Sequence, residues 1–400
     1  MKLKTLVITA IFAIFIQQAA FAQRAPYAEN YLKTGVDYYS KGDFDKAIEC
    51  FIAAKTALEE TGNKEHPLYF SIIDILGNLY FDTGDYAKAE IYYLELKAIK
   101  EKIFGKEHSS YMDILIRLTY LYYASGNYDK GIKCALELKA RQEKAFGKED
   151  PKYAETLSSL GLLYANIKNY DNAIQYYLEA LNIREKALGK NHPDYVESLE
   201  HLSGLYLNLD DYANAERYLS ELKTIQENRL GKKHHDYGVI TNNLGLLYIK
   251  MGDYVKAERC LLELKSIKEK NPGKRHPEYV AVLNNLGMIY HLMDNYKKAE
   301  SCYLEVKSID EKIHGKNHPD YATTLVNLGA TYSSTGNYSK AEKCFLEAKA
   351  IREKALGKEH PDHIMLAEKL GELYNKMGNS AKAEQYLSEA KTIQEKAQSN

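Results

Sequence analysis

Hydrophobic and polar positions along this chain follow the spacing of amphipathic helices, arranged as pairs of segments separated by a short turn. The apolar residues of one representative pair are Leu325, Leu328 and Tyr332 in the first segment and Ala341, Phe345 and Ala348 in the second. Spacings of i, i+3 or i+4, and i+7 place each set on one face of a helix. The pattern predicts helix A over Pro319 to Ser334 and helix B over Tyr338 to Leu356.

The same pair of segments returns every 42 residues. Lys358 follows Lys316 by 42 residues, and lysines recur at the same interval towards the N-terminus. The tyrosine of helix A recurs at Tyr38, Tyr80, Tyr122, Tyr164, Tyr206, Tyr248, Tyr290, Tyr332 and Tyr374. A period of 20–50 residues is typical of solenoids, whose units fold only when stacked on neighbours. The sequence therefore predicts an all-α solenoid.

Turn residues mark both ends of each helix. Gly336-Asn337 separates helix A from helix B, as Gly84-Asp85 does earlier, and three copies replace the glycine with Lys168, Asp210 and Asp294. Such pairs supply a positive-φ residue and an N-cap. His-Pro opens helix A, and the Gly-Lys dipeptide that follows helix B is interpreted as a C-cap.

A glycine also recurs in the middle of helix A, although glycine there costs about 0.5–1 kcal/mol relative to alanine. It stands at Gly35, Gly77, Gly161, Gly245, Gly287, Gly329 and Gly371, with Thr119 and Ser203 at the other two registers. Twelve residues later, helix B carries alanine in eight repeats and Gly131 in the ninth. We expect small residues to face each other where the two helices cross.

The N-terminus does not follow the repeat. Lys2 and Lys4 precede a largely apolar run, Leu6 to Ile16, and a small-x-small end at Ala20–Ala22. This layout is typical of a secretory signal peptide over residues 1–22, cleaved before Gln23; an uncleaved anchor and a buried core helix are the alternatives. Export would place the protein in the periplasm or outside the cell. No later segment is apolar enough for a membrane span.

Residues 23–400 would then hold nine tandem repeats with no room for a separate catalytic domain. The formal net charge is −1, and −3 without Lys2 and Lys4. Neither net charge favours nucleic acid as a partner, and the basic residues are not gathered into one block.

Cysteine and histidine recur at fixed registers too far apart for shared chemistry. The five cysteines occupy one register, and stacked helices lie roughly 8–10 Å apart, whereas a disulfide needs Cα atoms about 4.4–6.8 Å apart. We interpret them as packing residues with free thiols. The linker histidines, such as His318, are interpreted as cap or packing residues at the start of each helix A, because metal ligands must converge on one ion. We predict no metal, no cofactor and no catalytic residues.

The run Leu328-Gly329, Tyr332, Ala341, Phe345 and Ala348 resembles the tetratricopeptide repeat signature. The 42-residue period and the long helix B resemble the variant found in kinesin light chains, over residues 23–400. The resemblance implies a right-handed superhelix of nine helix-turn-helix repeats, with A helices lining a concave groove. In that family the groove holds an extended peptide or a segment of a protein partner.

Relative to the mid-helix glycine, the groove positions implied by the family lie six, three and two residues before it, and one, four and five after it. The later repeats carry amides there, Asn242, Asn243, Asn284, Asn285 and Asn327. Amides donate and accept hydrogen bonds, so this asparagine ladder could hold a peptide backbone. The alternative is a structural ladder that bonds one repeat to the next.

The earlier repeats carry acidic and aromatic residues on the same face. The candidate partner-binding residues there are Asp74, Asp113, Arg117, Tyr120, Tyr123, Glu155 and Glu197. One hypothesis is a partner with a basic segment; the other is a solvated acidic face.

We therefore predict a non-catalytic scaffold that binds a protein or peptide partner in the groove. The alternatives are a sensor or adaptor that acts with a separately encoded kinase or protease-like effector, and a self-associating structural protein.

Overall fold

The computed structural model describes residues 26–60, 64, 66–357 and 360–399. These residues form eighteen α-helices in nine consecutive pairs and no strand. The A helices are α1 (Pro26–Lys41), α3 (Pro67–Asp82), α5 (Ser109–Ala124), α7 (Pro151–Asn166), α9 (Pro193–Asn208), α11 (His235–Met251), α13 (Pro277–Leu292), α15 (Pro319–Ser334) and α17 (Asp362–Lys376). The B helices are α2 (Phe44–Glu60), α4 (Tyr86–Phe104), α6 (Tyr128–Phe146), α8 (Tyr170–Leu188), α10 (Tyr212–Leu230), α12 (Tyr254–Lys268), α14 (Tyr296–Ile313), α16 (Tyr338–Leu356) and α18 (Ser380–Ser399).

The predicted helix-turn-helix solenoid is confirmed, and α15 and α16 have the bounds expected from the sequence. The chain divides into two compact units, one up to Leu205 and one from Tyr206 onward, with the boundary inside α9. From α1 to α8 and again from α10 to α18, each helix packs on the next one along the chain. The predicted signal peptide, residues 1–22, lies outside the described residues. No described helix is both long and apolar enough to cross a bilayer.

The helix boundaries use the predicted turn chemistry. Lys168, Asp210 and Asp294 adopt positive φ in place of glycine, and Gly357, which ends α16, does the same. The recurring histidine is an N-cap: at His318 the ring Nδ1 accepts a hydrogen bond from the backbone N–H of Asp320. The same bond forms at His66, His108, His192, His234, His276 and His360. The prediction that these histidines cap helices is confirmed.

Repeat six departs from the pattern. Helix α12 ends at Lys268, and the chain is kinked over Glu269–Gly273, where Asn271 has extended and not helical backbone dihedrals. Pro272 lies in this kinked segment, and proline lacks the N–H that would continue the α-helical ladder. Helix B of this repeat is therefore shorter than the α-helices at equivalent positions.

At each mid-helix glycine the nearest side chain belongs to the residue sixteen positions later, while the alanine expected there comes close at Gly371, where the carbonyl oxygen of Ala383 would lie 3.3 Å from an added Cβ. A Cβ added at Gly287 would lie 2.6 Å from ring atoms of Tyr303, and one at Gly329 would lie 2.6 Å from the ring of Phe345. The glycine thus makes room chiefly for the large side chain sixteen residues later. A ring lying against a bare backbone gains close packing that offsets the cost of helical glycine.

Consecutive repeats are joined by tyrosine hydroxyls and lysines that share one glutamate. The Tyr237 hydroxyl donates to Glu263 at 2.6 Å, and Lys223 from the preceding helix B reaches the same carboxylate at 2.7 Å. Comparable bonds from first-turn tyrosines form at Tyr69, Tyr111 and Tyr279. A second set, from the recurring tyrosine near the end of helix A, forms at Tyr122, Tyr248, Tyr290, Tyr332 and Tyr374. These buried tyrosines therefore both fill the core and fix the stacking register.

A column of buried polar residues runs through the B helices at one register and bonds to the next A helix. Gln142 accepts a hydrogen bond from Thr156 at 2.7 Å, and Asp310 accepts one from Thr324 at 2.8 Å. Asp310 is only 4% exposed. Burial raises the pKa of its carboxyl, which the hydrogen bond from Thr324 only partly opposes.

Asp310→Asn is expected to raise the unfolding free energy at neutral pH by about 1 kcal/mol, because it removes a buried charge and keeps an acceptor for Thr324. A raised folded pKa means that the group favours folding below its unfolded pKa of about 3.9 and loses that contribution as pH rises. The gain should therefore shrink in acid. Urea unfolding at both pH values measures it, and an equal gain at both would contradict this reading.

The five cysteines all have free thiols, as predicted. Burial raises the pKa of each, for example Cys260 and Cys302, so the reactive thiolate is disfavoured. Their role in the structure is packing.

Candidate functional site

The predicted asparagine ladder lies on α11, α13 and α15 of the second unit, and all five amides are half-buried. No hydrogen bond joins one of these amide side chains to another in the described structure. The Oδ1 atom of Asn284 is buried without any hydrogen-bond partner among the described residues. The described residues therefore form no ladder of amides bonded from repeat to repeat, and the binding role of these asparagines stays a prediction.

Asp74 and Arg117 belong to a closed network in the first unit. The Nη1 atom of Arg117 donates to Asp74 in a short ion pair and to Oδ1 of Asn78 at 2.7 Å. The Tyr93 hydroxyl donates to the same Asn78 oxygen at 2.8 Å. The sequence analysis treated Asp74 as acidic surface and Arg117 as cationic surface. Each neutralises the charge of the other, and the role of both residues in partner binding stays a prediction.

Asp113 is exposed at the edge of this network. Lys100, which projects from α4, has its pKa lowered by burial and by nearby Arg117, while the carboxylates of Asp74 and Asp113 oppose that shift. Asp113 therefore shares its surroundings with cations of the chain itself. This end of the acidic face is close to neutral.

Tyr120, Glu155 and Glu197 come from three successive A helices and lie near one another. Burial, followed by the carboxylates of Glu155 and Glu197, raises the pKa of Tyr120. Tyr120 is nevertheless 47% exposed, and Glu155 is also exposed. Glu155 forms no salt bridge within the described residues, so this part of the face keeps an uncompensated negative charge.

Glu197 forms an ion pair with a buried arginine. The Nη2 atom of Arg184 lies 3.1 Å from the Glu197 carboxylate, while its Nη1 donates to Ser198 at 2.7 Å and to the carbonyl oxygen of Asp194 at 2.9 Å. Arg184 is 2% exposed. Glu197 is therefore a positioned carboxylate whose charge is largely matched.

Beside these carboxylates lie the stacked rings of Tyr177 and His201, which were not among the predicted site residues, and Tyr123, which was. The ring of Tyr177 stacks on His201 with 5.1 Å between centroids. Burial lowers the pKa of His201 against the opposing effect of Glu197. Tyr123 is exposed, and its ring centroid lies 6.1 Å from that of Tyr128. His201 occupies the same register as Arg117, two residues before the mid-helix glycine position.

No three histidine, cysteine, aspartate or glutamate side chains of the described chain converge as metal ligands would. The repeated polar residues instead serve as caps and inter-repeat bonds. The A helices of the second unit can therefore offer amides to a ligand, and those of the first unit can offer carboxylates and aromatic rings; both belong to the chemistry of polypeptide recognition.

Comparison with known proteins identifies the repeat. The family model described as "Tetratricopeptide repeat" matches residues 27–102, 110–186, 159–228, 198–270, 236–311, 278–354 and 325–396. The chain belongs to the tetratricopeptide repeat family. Tetratricopeptide repeat arrays are protein-interaction scaffolds, and this chain has their architecture. No curated protein sequence matches it.

Several solved structures are similar to the chain. The apo form of RapI is 15% identical with a TM-score of 0.51, covering 93% of this chain and 99% of RapI. BtubC (BKLC) from P. vanneervenii is 24% identical with a TM-score of 0.44, covering 61% of this chain and 92% of BtubC. A putative kinesin light chain from Podosopora anserina is 21% identical with a TM-score of 0.46, covering 52% and 99%. Kinesin-light-chain-like tetratricopeptide repeat proteins are thus among its structural neighbours.

Proposed function

We propose that this tetratricopeptide repeat protein is a non-catalytic scaffold that binds an extended segment of a partner along the face formed by its A helices. The observation that carries the proposal is the row of half-buried amides on α11, α13 and α15, which form no hydrogen bonds with one another. An extended backbone presents N–H and C=O groups at regular intervals, and each amide can pair with either.

The proposed location is outside the cytoplasm, in the periplasm or the exterior, on the strength of the signal-like pattern in residues 1–22. The partner would then be another exported protein or the exposed segment of one.

The test is partner capture from the extracytoplasmic fraction with the chain and with an Asn243→Ala/Asn285→Ala/Asn327→Ala variant. The variant is expected to lose the partners that the unchanged chain retains, because three backbone-binding amides are removed together. Losing each hydrogen bond costs about 0.5–1.5 kcal/mol, so three correspond to at least a tenfold loss of affinity.

A matched control replaces three exposed polar residues on the B helices, Thr224, Ser266 and Ser308, with alanine. This variant should capture the same partners as the unchanged chain. Equal capture by the asparagine variant would reject binding along the A-helix face. Light scattering on the same preparations reports self-association, and a concentration-dependent mass abolished by the asparagine variant would make a second copy the partner.

A further inference from the structure

Each A helix of repeats six to eight presents a stripe of four side chains at the registers of the proposed binding face. On α11 the stripe is Val239, Asn243, Leu246 and Lys250, and spacings of four, three and four residues place these side chains on one side of the helix. Val239 and Leu246 are exposed, whereas Asn243 is half-buried. The amide of Asn243 therefore has exposed apolar neighbours on both sides along the helix.

The A helices of the next two repeats carry stripes of the same kind. They contain no charged residue and consist of Ala281, Asn285, Met288 and Leu292 on α13, and of Thr323, Asn327, Ala330 and Ser334 on α15. Both Met288 and Leu292 are exposed. Next to these stripes, the ring Nδ1 of His291 on α13 lies 3.4 Å from the hydroxyl oxygen of Thr331 on α15. The stripes of these two helices therefore run side by side.

Charge is nearly absent from these three stripes, although charged residues make up 27% of the chain. Among the described side chains of the stripes, Lys250 alone is ionised, and its ammonium group lies 3.8 Å from the Asp210 carboxylate. In the first unit, by contrast, the first stripe position is acidic in three consecutive repeats, at Asp113, Glu155 and Glu197. A charged ligand would lose hydration on α11, α13 and α15 without gaining an unpaired opposite charge, whereas an apolar ligand gains from leaving water.

The amides in these stripes favour an extended segment as the ligand over a second folded copy of the chain. Beside Asn285, the Oδ1 atom of Asn284 is buried without a hydrogen-bond partner among the described residues. A second copy would offer helices, whose backbone N–H and C=O groups already pair with each other. An extended segment leaves those groups free to pair with side-chain amides. The side chains of such a segment would then meet the apolar residues that flank the amides.

We propose that α11, α13 and α15 bind an extended, uncharged segment of the partner whose side chains facing these helices are aliphatic. The backbone of the segment pairs with the asparagine ladder, and its aliphatic side chains pack on Leu246, Met288 and Leu292. Burial of these exposed side chains stabilises the complex in proportion to the apolar area that leaves water. The proposal rests on the proposed function, because it states the chemistry of the segment that the scaffold binds.

The test uses three synthetic peptides of about eight residues with blocked ends, in which serine alternates with leucine, with lysine or with glutamate. Fluorescence anisotropy of the dye-labelled peptides measures their binding to the whole chain. We expect the leucine peptide to bind at least about tenfold more tightly than the other two, since burying one leucine side chain corresponds to about that factor in affinity. Equal binding of the three peptides, or tighter binding of a charged one, would overturn the proposal.

Two matched double variants locate the site of the leucine peptide. Leu246→Ser/Met288→Ser removes side chains that are 40% and 38% exposed and should weaken its binding about tenfold or more. Leu262→Ser/Leu304→Ser removes side chains that are 45% and 44% exposed, from α12 and α14 of the same unit, and should leave binding unchanged. Thermal unfolding verifies that both variants fold. Equal losses in both would show that the peptide adheres to any exposed apolar side chain, which would reject the site.

A charge exchange at the same two positions gives a result that loss of folding cannot imitate. Leu246→Lys/Met288→Lys is expected to bind the glutamate peptide more tightly than the leucine peptide, because the stripes then carry two cations. A variant that still prefers the leucine peptide would contradict the assignment of these stripes. Light scattering addresses the other occupant: a mass that falls from dimer to monomer in Leu246→Ser/Met288→Ser would assign the surface to a second copy and overturn the proposal.

These outcomes are separable from the test of the proposed function. If the three peptides bind equally but partner capture still depends on the asparagines, the scaffold stands and the preference for an aliphatic segment is rejected. If the leucine peptide binds through Leu246 and Met288 but capture does not depend on the asparagines, the aliphatic site stands and backbone binding by the amides is rejected.

Discussion

Replacing Gly287 with alanine is expected to lower the free energy of unfolding by about 1–3 kcal/mol, the range for inserting atoms into a packed interior. The new Cβ would lie 2.6 Å from two ring atoms of Tyr303. That ring is 4% exposed and confined between helices, so it has little space to withdraw. Urea unfolding followed by far-UV circular dichroism measures the loss.

The neighbouring repeat provides a control with the opposite expectation. At Gly245 the nearest atom to an added Cβ is a methyl carbon of Leu261, 3.4 Å away. A leucine side chain can move by a few tenths of an ångström, and alanine is the better helix former. Gly245→Ala should therefore be neutral or stabilise by up to about 1 kcal/mol. Equal destabilisation of both variants would show that the ring contact does not decide the choice of glycine.

The contrast also shows what periodicity reveals and what it does not. The recurrence of Gly287 and Tyr303 at the same interval predicts that both serve the stack. It does not say whether the glycine meets the residue twelve or sixteen positions later, because both lie on the side of helix B that packs inward. That choice depends on the crossing angle and separation of the helices, which the residue pattern leaves open.

The arrangement of charges at the candidate site was also only partly predictable from the sequence. The resemblance to tetratricopeptide repeats placed Glu155 and Glu197 at one groove register and Tyr120 at another, and the structure brings these three side chains near one another. It did not reveal that Asp74 and Arg117 neutralise each other. Their separation of 43 residues, one repeat plus one, was a usable signal, since residues at that spacing lie side by side on adjacent A helices.

The inter-repeat glutamates have a larger predicted effect on stability than any single groove residue. Glu263 receives hydrogen bonds from the Tyr237 hydroxyl at 2.6 Å and from the Lys223 ammonium at 2.7 Å, and Lys232 reaches it at 3.2 Å. About a quarter of its side chain is exposed. Three donors on one poorly hydrated carboxylate form a strong interaction between successive repeats.

Glu263→Gln is expected to lower the unfolding free energy at neutral pH by about 1–3 kcal/mol, because Lys223 loses its anion and the hydrogen bonds to a charged acceptor weaken. Urea unfolding measures the difference. The control is Glu179→Gln at the same register of repeat four, where the Tyr153 hydroxyl has no hydrogen-bond partner among the described residues. That variant should change stability by less than about 0.5 kcal/mol.

The pH dependence of the Glu263 effect follows from its pKa. Burial alone would raise it, but hydrogen bonds from Lys223 and Tyr237 outweigh burial and lower the pKa of Glu263; similar bonds from Lys55 and Tyr69 lower the pKa of Glu59 to about 2. A lowered folded pKa gives stability that is complete above the unfolded value of about 4.3 and is lost as pH falls through the folded value. The difference in unfolding free energy between the unchanged chain and Glu263→Gln should therefore be largest near neutral pH and should decrease in acid. A difference in unfolding free energy that stays constant from neutral pH to acid would mean that packing, and not the carboxylate charge, stabilises this contact between repeats.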